Sequence, residues 1–184
     1  MLKHKIFTIF FLSLPLLLAS YEKAVATEAT NTPVVTEIMW EDLIPKEWRP
    51  DQTLVDKYNN GEIGDDDPRI IKLKKRFQEM EKLSPLNKKL HGKFIKMPGL
   101  VVPVELDGEK VRELLLVPYH GACVHVPPPP ANQVVYVKLP DKLARKFEYF
   151  ETIWVTGLLT VEKTKSKVAE AGYSIKATKV ELYE

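Results

Sequence analysis

The sequence predicts a mainly β chain: a five-stranded, OB-like Greek-key barrel behind a helical and irregular N-terminal extension. Three observations lead there. From Leu90 onward the apolar residues change from a helical to a strand-like period. The stretch 91–106, HGKFIKMPGLVVPVEL, carries Pro98-Gly99 at its middle, and a long strand broken at such a point is how a small barrel turns a corner. Further strand-like runs follow in the order expected of an OB-fold: two strands, a short helix, two more strands. An SH3-like barrel or a small sandwich shares much of that pattern.

A chain of 184 residues accommodates one domain and a short extra segment. Its first 26 residues are read apart from that domain. Lys3 and Lys5 precede an apolar run from Ile6 to Leu18, and Ala24-Val25-Ala26 supplies small residues where a signal peptidase cuts. Residues 1–26 are therefore expected to be a secretory signal peptide. The run is short for a membrane span, and an uncleaved anchor is the competing reading. Cleavage after Ala26 would remove Lys3, Lys5, Lys23 and Glu22, leaving equal numbers of basic and acidic residues. A nucleic-acid binder needs a surplus of Lys and Arg to neutralise phosphates, so nucleic acid is not an expected partner. No integral membrane span is expected after cleavage.

Residues 27–86 are read as an N-terminal segment with one amphipathic helix. Thr27 to Val35 is small, polar and flexible in character. Glu37 to Pro50 is interrupted by Pro45 and Pro50, which excludes one long helix. Trp40 and Trp48 in it are expected to lie on the domain itself, with a partner-binding patch as the alternative. The acidic run Asp65-Asp66-Asp67 lacks the spacing and closing Glu of an EF-hand loop. Asp67 and Pro68 instead suit a helix start. Ile70, Leu73, Phe77 and Met80 give that helix its apolar face, and Ser84-Pro85 ends it.

Residues 87–184 are assigned to the barrel. The bent first strand runs to Leu106, Asp107-Gly108 is a hairpin signal, and Val111 to Val117 returns. Gln133 to Leu139 is the third strand. Asp141 is expected to cap a short helix carrying Leu143 and Phe147. Thr152 to Glu162 places Ile153, Val155, Leu159 and Val161 on one face, with Gly157 marking a tight bend. In Tyr173 to Leu182 the apolar phase switches between Ala177 and Val180, which requires a bulge near Thr178.

Between the second and third strands lies the densest chemistry, YHGACVHVPPPPANQ, residues 119–133. It holds the chain's one cysteine, Cys123, which cannot form an internal disulfide. Cys123 lies three residues after His120 and two before His125, and thiolate with imidazole is a zinc donor set. His91 is a possible distant fourth ligand. The same residues allow a thiol nucleophile, Cys123 with His120 or His125 as base and Asn132 as orienting group. Against that, everything is local, with no glycine-rich elbow and no evident oxyanion donors, and the chain is read as non-enzymatic. The bland alternative is a buried cysteine on a stiff loop, since four prolines favour a polyproline II segment.

The runs GKFIKMPGLVVPVE, LLLVPYHGACVHVPPPPANQVVYV, IWVTGLL and AGYSIKATKVELY, with IMWEDLIP upstream, resemble domain of unknown function family 3299. The likeness covers most of the chain after residue 26 and is most specific in GACVHVPPPPANQ, where Cys123 and His125 fall. It implies an exported, periplasmic protein of Gram-negative bacteria. Such proteins are often encoded beside an ABC-transporter permease and ATPase, in sets linked to zinc uptake. The resulting expectation is a periplasmic accessory protein of an envelope ABC-transport system that handles a transition metal such as zinc. Cys123, His125 and His120 would be the ligands. The alternative is a protein-interaction module that docks on a permease or another periplasmic protein. Its contact residues would be Pro127, Pro128, Pro129, Pro130, Asn132 and Gln133, with Cys123 buried.

Overall fold

The architecture was obtained as a computed structural model, which describes residues 33–119 and 129–183. The expectations placed on residues 1–26 lie outside the described residues. Pro33–Glu184 forms one compact unit, so the segment before residue 87 and the strands after it share a core.

The chain enters with a two-residue strand, β1 (Thr36–Glu37), two 3-10 turns (Trp40–Leu43, Lys46–Trp48) and the helices α1 (Gln52–Asn59) and α2 (Pro68–Leu83). Five strands follow: β2 (Phe94–Asp107), β3 (Lys110–Val117), β4 (Val135–Lys138), β5 (Thr152–Lys165) and β6 (Glu170–Leu182). The pairing order β2-β3-β4-β6-β5 closes on itself because β2 also pairs with β5. The five-stranded barrel of the sequence reading is thus present, and its path is compatible with an OB-like Greek key. β4 and β6 run parallel, the other barrel pairs antiparallel, and β1 adds a short parallel edge to β2.

Closure depends on the bend in β2. Residues Phe94 to Leu100 pair with β5, and Leu100 to Asp107 pair with β3. The strand changes neighbour immediately after Pro98-Gly99. Gly99 is required there for space: a Cβ would come within 2.9 Å of the Trp40 ring and 3.1 Å of Leu116. Gly157 on β5 is still tighter, since a Cβ would fall 2.2 Å from the carbonyl oxygen of Lys176. The β6 bulge sits where the phase change requires it: Thr156 pairs with Lys179 and Gly157 with Ala177, leaving Thr178 unpaired.

Burial is two-sided on β3. Leu114 and Leu116 face the barrel interior with Val101, Val137, Ile153 and Ile175. Leu115 and Val117 belong to a second cluster with Leu100, Val102, Val134 and Tyr136. Period-2 alternation assigns such neighbours to opposite faces, and the continuous LLLV run reflects burial of both.

The helix α2 follows its sequence signals. The Asp67 carboxylate accepts from the Arg69 N–H at 2.8 Å, Pro68 opens the helix, and Ser84 ends it in a left-handed conformation. Ile70 and Met80 are buried. A second helix, α1, is present beyond the one expected, capped by Asp51, which accepts from the N–H groups of Thr53 and Leu54. The short helix expected after Asp141 does not form. Leu143 N–H and Ala144 N–H both donate to Pro140 O, making a single turn. The Asp141 carboxylate pairs with Arg112 instead of capping, and Val111 N–H captures Arg145 O at 2.9 Å. A single turn interrupted by such a bridge cannot propagate as a helix.

Tyr173 on β6 joins the N-terminal segment to the barrel. Its buried hydroxyl donates to Leu43 O (2.5 Å) and accepts from Asn87 N–H (2.6 Å). Asn87 Nδ2 adds a bond to Asp42 O at 2.8 Å. Leu43 and Ile38 are thereby part of the barrel core. Trp40 packs against that core, and Arg76 of α2 stands over the Trp48 ring at 5.1 Å, so both tryptophans lie on the chain's own surface.

Candidate functional site

The connection from β3 to β4 leaves the barrel at Val117 and re-enters at Val135, two residues buried in neighbouring strands. His120, Cys123, His125, Pro127 and Pro128 lie outside the described residues. What the structure shows is the foot of the connection on each side.

On the return side, Pro129 is buried and Pro130 half-buried. Ala131–Gln133 forms a 3-10 turn. Asn132 is fully buried, and its Nδ2 donates to Pro85 O at 3.2 Å. Its Oδ1 has no hydrogen-bond partner among the described residues. Gln133 Nε2 donates to Trp40 O at 3.3 Å and to Asn132 O at 2.9 Å. In the alternative reading as an interaction module, Asn132 and Gln133 belong to the contact surface. The structure turns both amides inward, because the backbone carbonyls of Pro85 and Trp40 need donors where the N-terminal segment crosses the barrel. They are tethers within the chain, and they fix the end of the proline run.

On the outgoing side, Pro118 and Tyr119 line a cleft of about 420 Å3 with Trp40, Gly99, Thr152 and Tyr183. Tyr119 and Tyr183 are both about half exposed. Tyr183 stacks on Trp154 at 5.4 Å between ring centroids, and Lys96 Nζ lies 4.5 Å from the Trp154 ring. Exposed aromatics with half their surface wet suit a binding surface more than a core. Sequence reasoning missed this cleft, because its aromatic residues come from the N-terminal segment, from the foot of the connection and from the residue just after the last strand.

His91 stands apart. Its Nδ1 accepts from Val161 N–H at 3.2 Å, so one imidazole lone pair is engaged in holding β2's entry against β5. Among the described residues no three His, Cys, Asp or Glu side chains converge as a metal site. A polar pair elsewhere is Tyr136 with Glu113, whose carboxylate accepts from the phenol. Burial pushes the Tyr136 phenol up to about 12, helped by that hydrogen bond and by the charges of Glu113 and Glu105. This pair is on the barrel wall between β3 and β4, outside the aromatic cleft.

The family profile described as protein of unknown function (DUF3299) matches residues 40–182. The chain belongs to that family. It is similar to a crystal structure of a DUF3299 family protein from Pseudomonas aeruginosa PAO1. The two are 35% identical with a TM-score of 0.58, over 83% of this chain and 98% of that one. No curated protein matches the chain. Among the described residues no helix is long and apolar enough to cross a membrane.

Proposed function

We propose that this DUF3299 protein is an exported, non-enzymatic accessory protein of an envelope ABC-transport system that handles a transition-metal ion such as zinc. The observation that carries the reading is the donor set His120, Cys123 and His125, confined to six residues of one connection. Both ends of that connection are anchored in neighbouring strands of a closed barrel. A thiolate and two imidazoles are the donors zinc prefers, and three protein ligands leave a fourth position for a partner or a carrier. Anchored feet lower the entropy lost when the donors gather round an ion. The export part of the reading rests on the signal-like pattern of residues 1–26, and the transporter partner on the family resemblance.

The test is a zinc titration against a competing chromophoric chelator. It uses the chain lacking residues 1–26, whose compact unit Pro33–Glu184 retains its whole core. Tight binding of one zinc is expected, with a loss of at least tenfold in Cys123→Ala and in His125→Ala. Equal affinity in Cys123→Ala removes the ligand assignment. The exposed rings of Tyr119 and Tyr183 favour a second reading, an interaction module for a permease or another periplasmic protein. Absence of zinc affinity together with a Cys123 thiol that resists labelling in the folded state would select it.

A further inference from the structure

The distribution of charge along the chain is uneven. Residues 68–96 carry ten Lys or Arg against two Glu, while the whole sequence after residue 26 balances. Acidic partners neutralise only part of this segment: Asp65 holds Lys74, and Asp67 holds Arg69. Lys72, Lys75, Lys82, Lys88, Lys89 and Lys93 are exposed and form no ion pair among the described residues. The surface around Trp48 collects part of the excess. Lys46, Lys88 and Lys89 line a cleft of about 450 Å3 with Trp48, Pro85 and Asn87, and Glu47 is the one carboxylate among its described lining residues. Arg76 covers the Trp48 ring from the α2 side. Trp48 is half-buried, and Leu83, two residues before Pro85, is 58% exposed.

We propose that this face, Lys46, Trp48, Arg76, Lys88 and Lys89 with the unpaired lysines of α2, docks the protein on an anionic phospholipid bilayer. Three features favour a lipid surface over a small soluble anion. The unpaired cations are spread along sixteen residues of helix and the turn beyond it, so an extended anionic surface meets more of them than one phosphate does. Trp prefers the headgroup region of a bilayer, where its ring is half solvated. Leu83 adds an apolar contact beside the charges, the combination that holds interfacial segments. Without a spanning helix among the described residues, such docking is reversible and sensitive to salt. The inference does not depend on metal binding.

The experiment is vesicle co-sedimentation of the chain lacking residues 1–26, with chelator present so that metal plays no part. The protein is expected to sediment with phosphatidylglycerol-containing vesicles and not with pure phosphatidylcholine vesicles, and salt should release it. Each lysine near an anionic surface is worth about a fivefold change in affinity. The triple variant Lys46→Glu, Lys88→Glu, Lys89→Glu should therefore bind about a hundredfold more weakly or worse. These side chains are exposed and unpaired, so the variant should keep the parent's circular dichroism spectrum. A blue shift of Trp fluorescence on vesicle addition, lost in Trp48→Phe, places the tryptophan at the interface. Failure to bind anionic vesicles, equal binding to neutral ones, or an unchanged triple variant overturns the proposal. Capture by a soluble polyanion without vesicle binding overturns it as well.

Discussion

Tyr173→Phe keeps the ring and removes the hydroxyl that ties the N-terminal segment to the barrel. Two bonds go: the one donated to Leu43 O at 2.5 Å and the one accepted from Asn87 N–H at 2.6 Å. The Leu43 carbonyl is not free to find water, because Leu43 is fully buried, whereas Asn87 is half-buried. Asn87 N–H keeps a longer bond to Leu43 O at 3.3 Å, which softens the loss. The expected cost is about 2 kcal/mol, one net hydrogen bond plus part of a desolvation penalty. For a unit of this size that is about 4–8 °C in Tm. A second signature is pH. Burial pushes the Tyr173 phenol from 10.0 up to about 12, with the Asn87 N–H pulling the other way. A raised folded value means the contribution is complete below pH 10 and is lost as pH climbs toward 12. The size of that alkaline loss is on the order of 2–3 kcal/mol. Tyr136 titrates in the same window, so the variant should show a shallower alkaline decline than the parent, not a flat one. Urea unfolding of parent and variant, at neutral pH and again near pH 11, reads both effects. A variant within about 0.5 kcal/mol of the parent, or one with the same alkaline decline, refutes the latch.

Two further substitutions probe the closure of the barrel and the anchoring of the candidate loop. Gly157→Ala would drive a Cβ to 2.2 Å from Lys176 O, so β5 and β6 must separate there; loss of cooperative unfolding or a penalty above about 3 kcal/mol is expected in thermal denaturation. Asn132→Asp replaces the amide that donates to Pro85 O with a buried carboxyl group. Near neutral pH it should cost more than about 2 kcal/mol, and acidification should recover part of the loss as the group protonates, which unfolding curves at two pH values would reveal. Stability that is the same at both pH values contradicts the burial of Asn132.

The barrel was legible where local chemistry forces geometry. Pro98-Gly99 cannot continue a flat central strand, and β2 exchanges β5 for β3 just after it. The switch of apolar phase between Ala177 and Val180 admits one extra residue, and Thr178 is that residue. Asp67-Pro68 and Ser84-Pro85 bracket α2 because caps act over a few residues. Other features were hidden because their causes are distant. α1 is eight residues long and buries none of them fully, so Leu54, Val55 and Tyr58 are too few to mark it as a periodic stripe. Asp141 reads as a cap until Arg112, 29 residues earlier in the chain, claims its carboxylate. Asn132 and Gln133 look like loop polar residues, and only the approach of Pro85 and Trp40 gives their amides inward partners. The aromatic cleft is assembled from residues 40, 119 and 183, a juxtaposition that no local pattern contains.

Cobalt(II) titration of the chain lacking residues 1–26 tests the central claim most directly, because the ion reports the identity and number of its ligands. Intense ligand-field bands with a thiolate-to-metal charge-transfer band are predicted, displaced by one equivalent of zinc and with the charge-transfer component absent from Cys123→Ala. A weak octahedral spectrum like that of the hydrated ion, or a charge-transfer band that survives in Cys123→Ala, would contradict a metal site built on Cys123, His125 and His120.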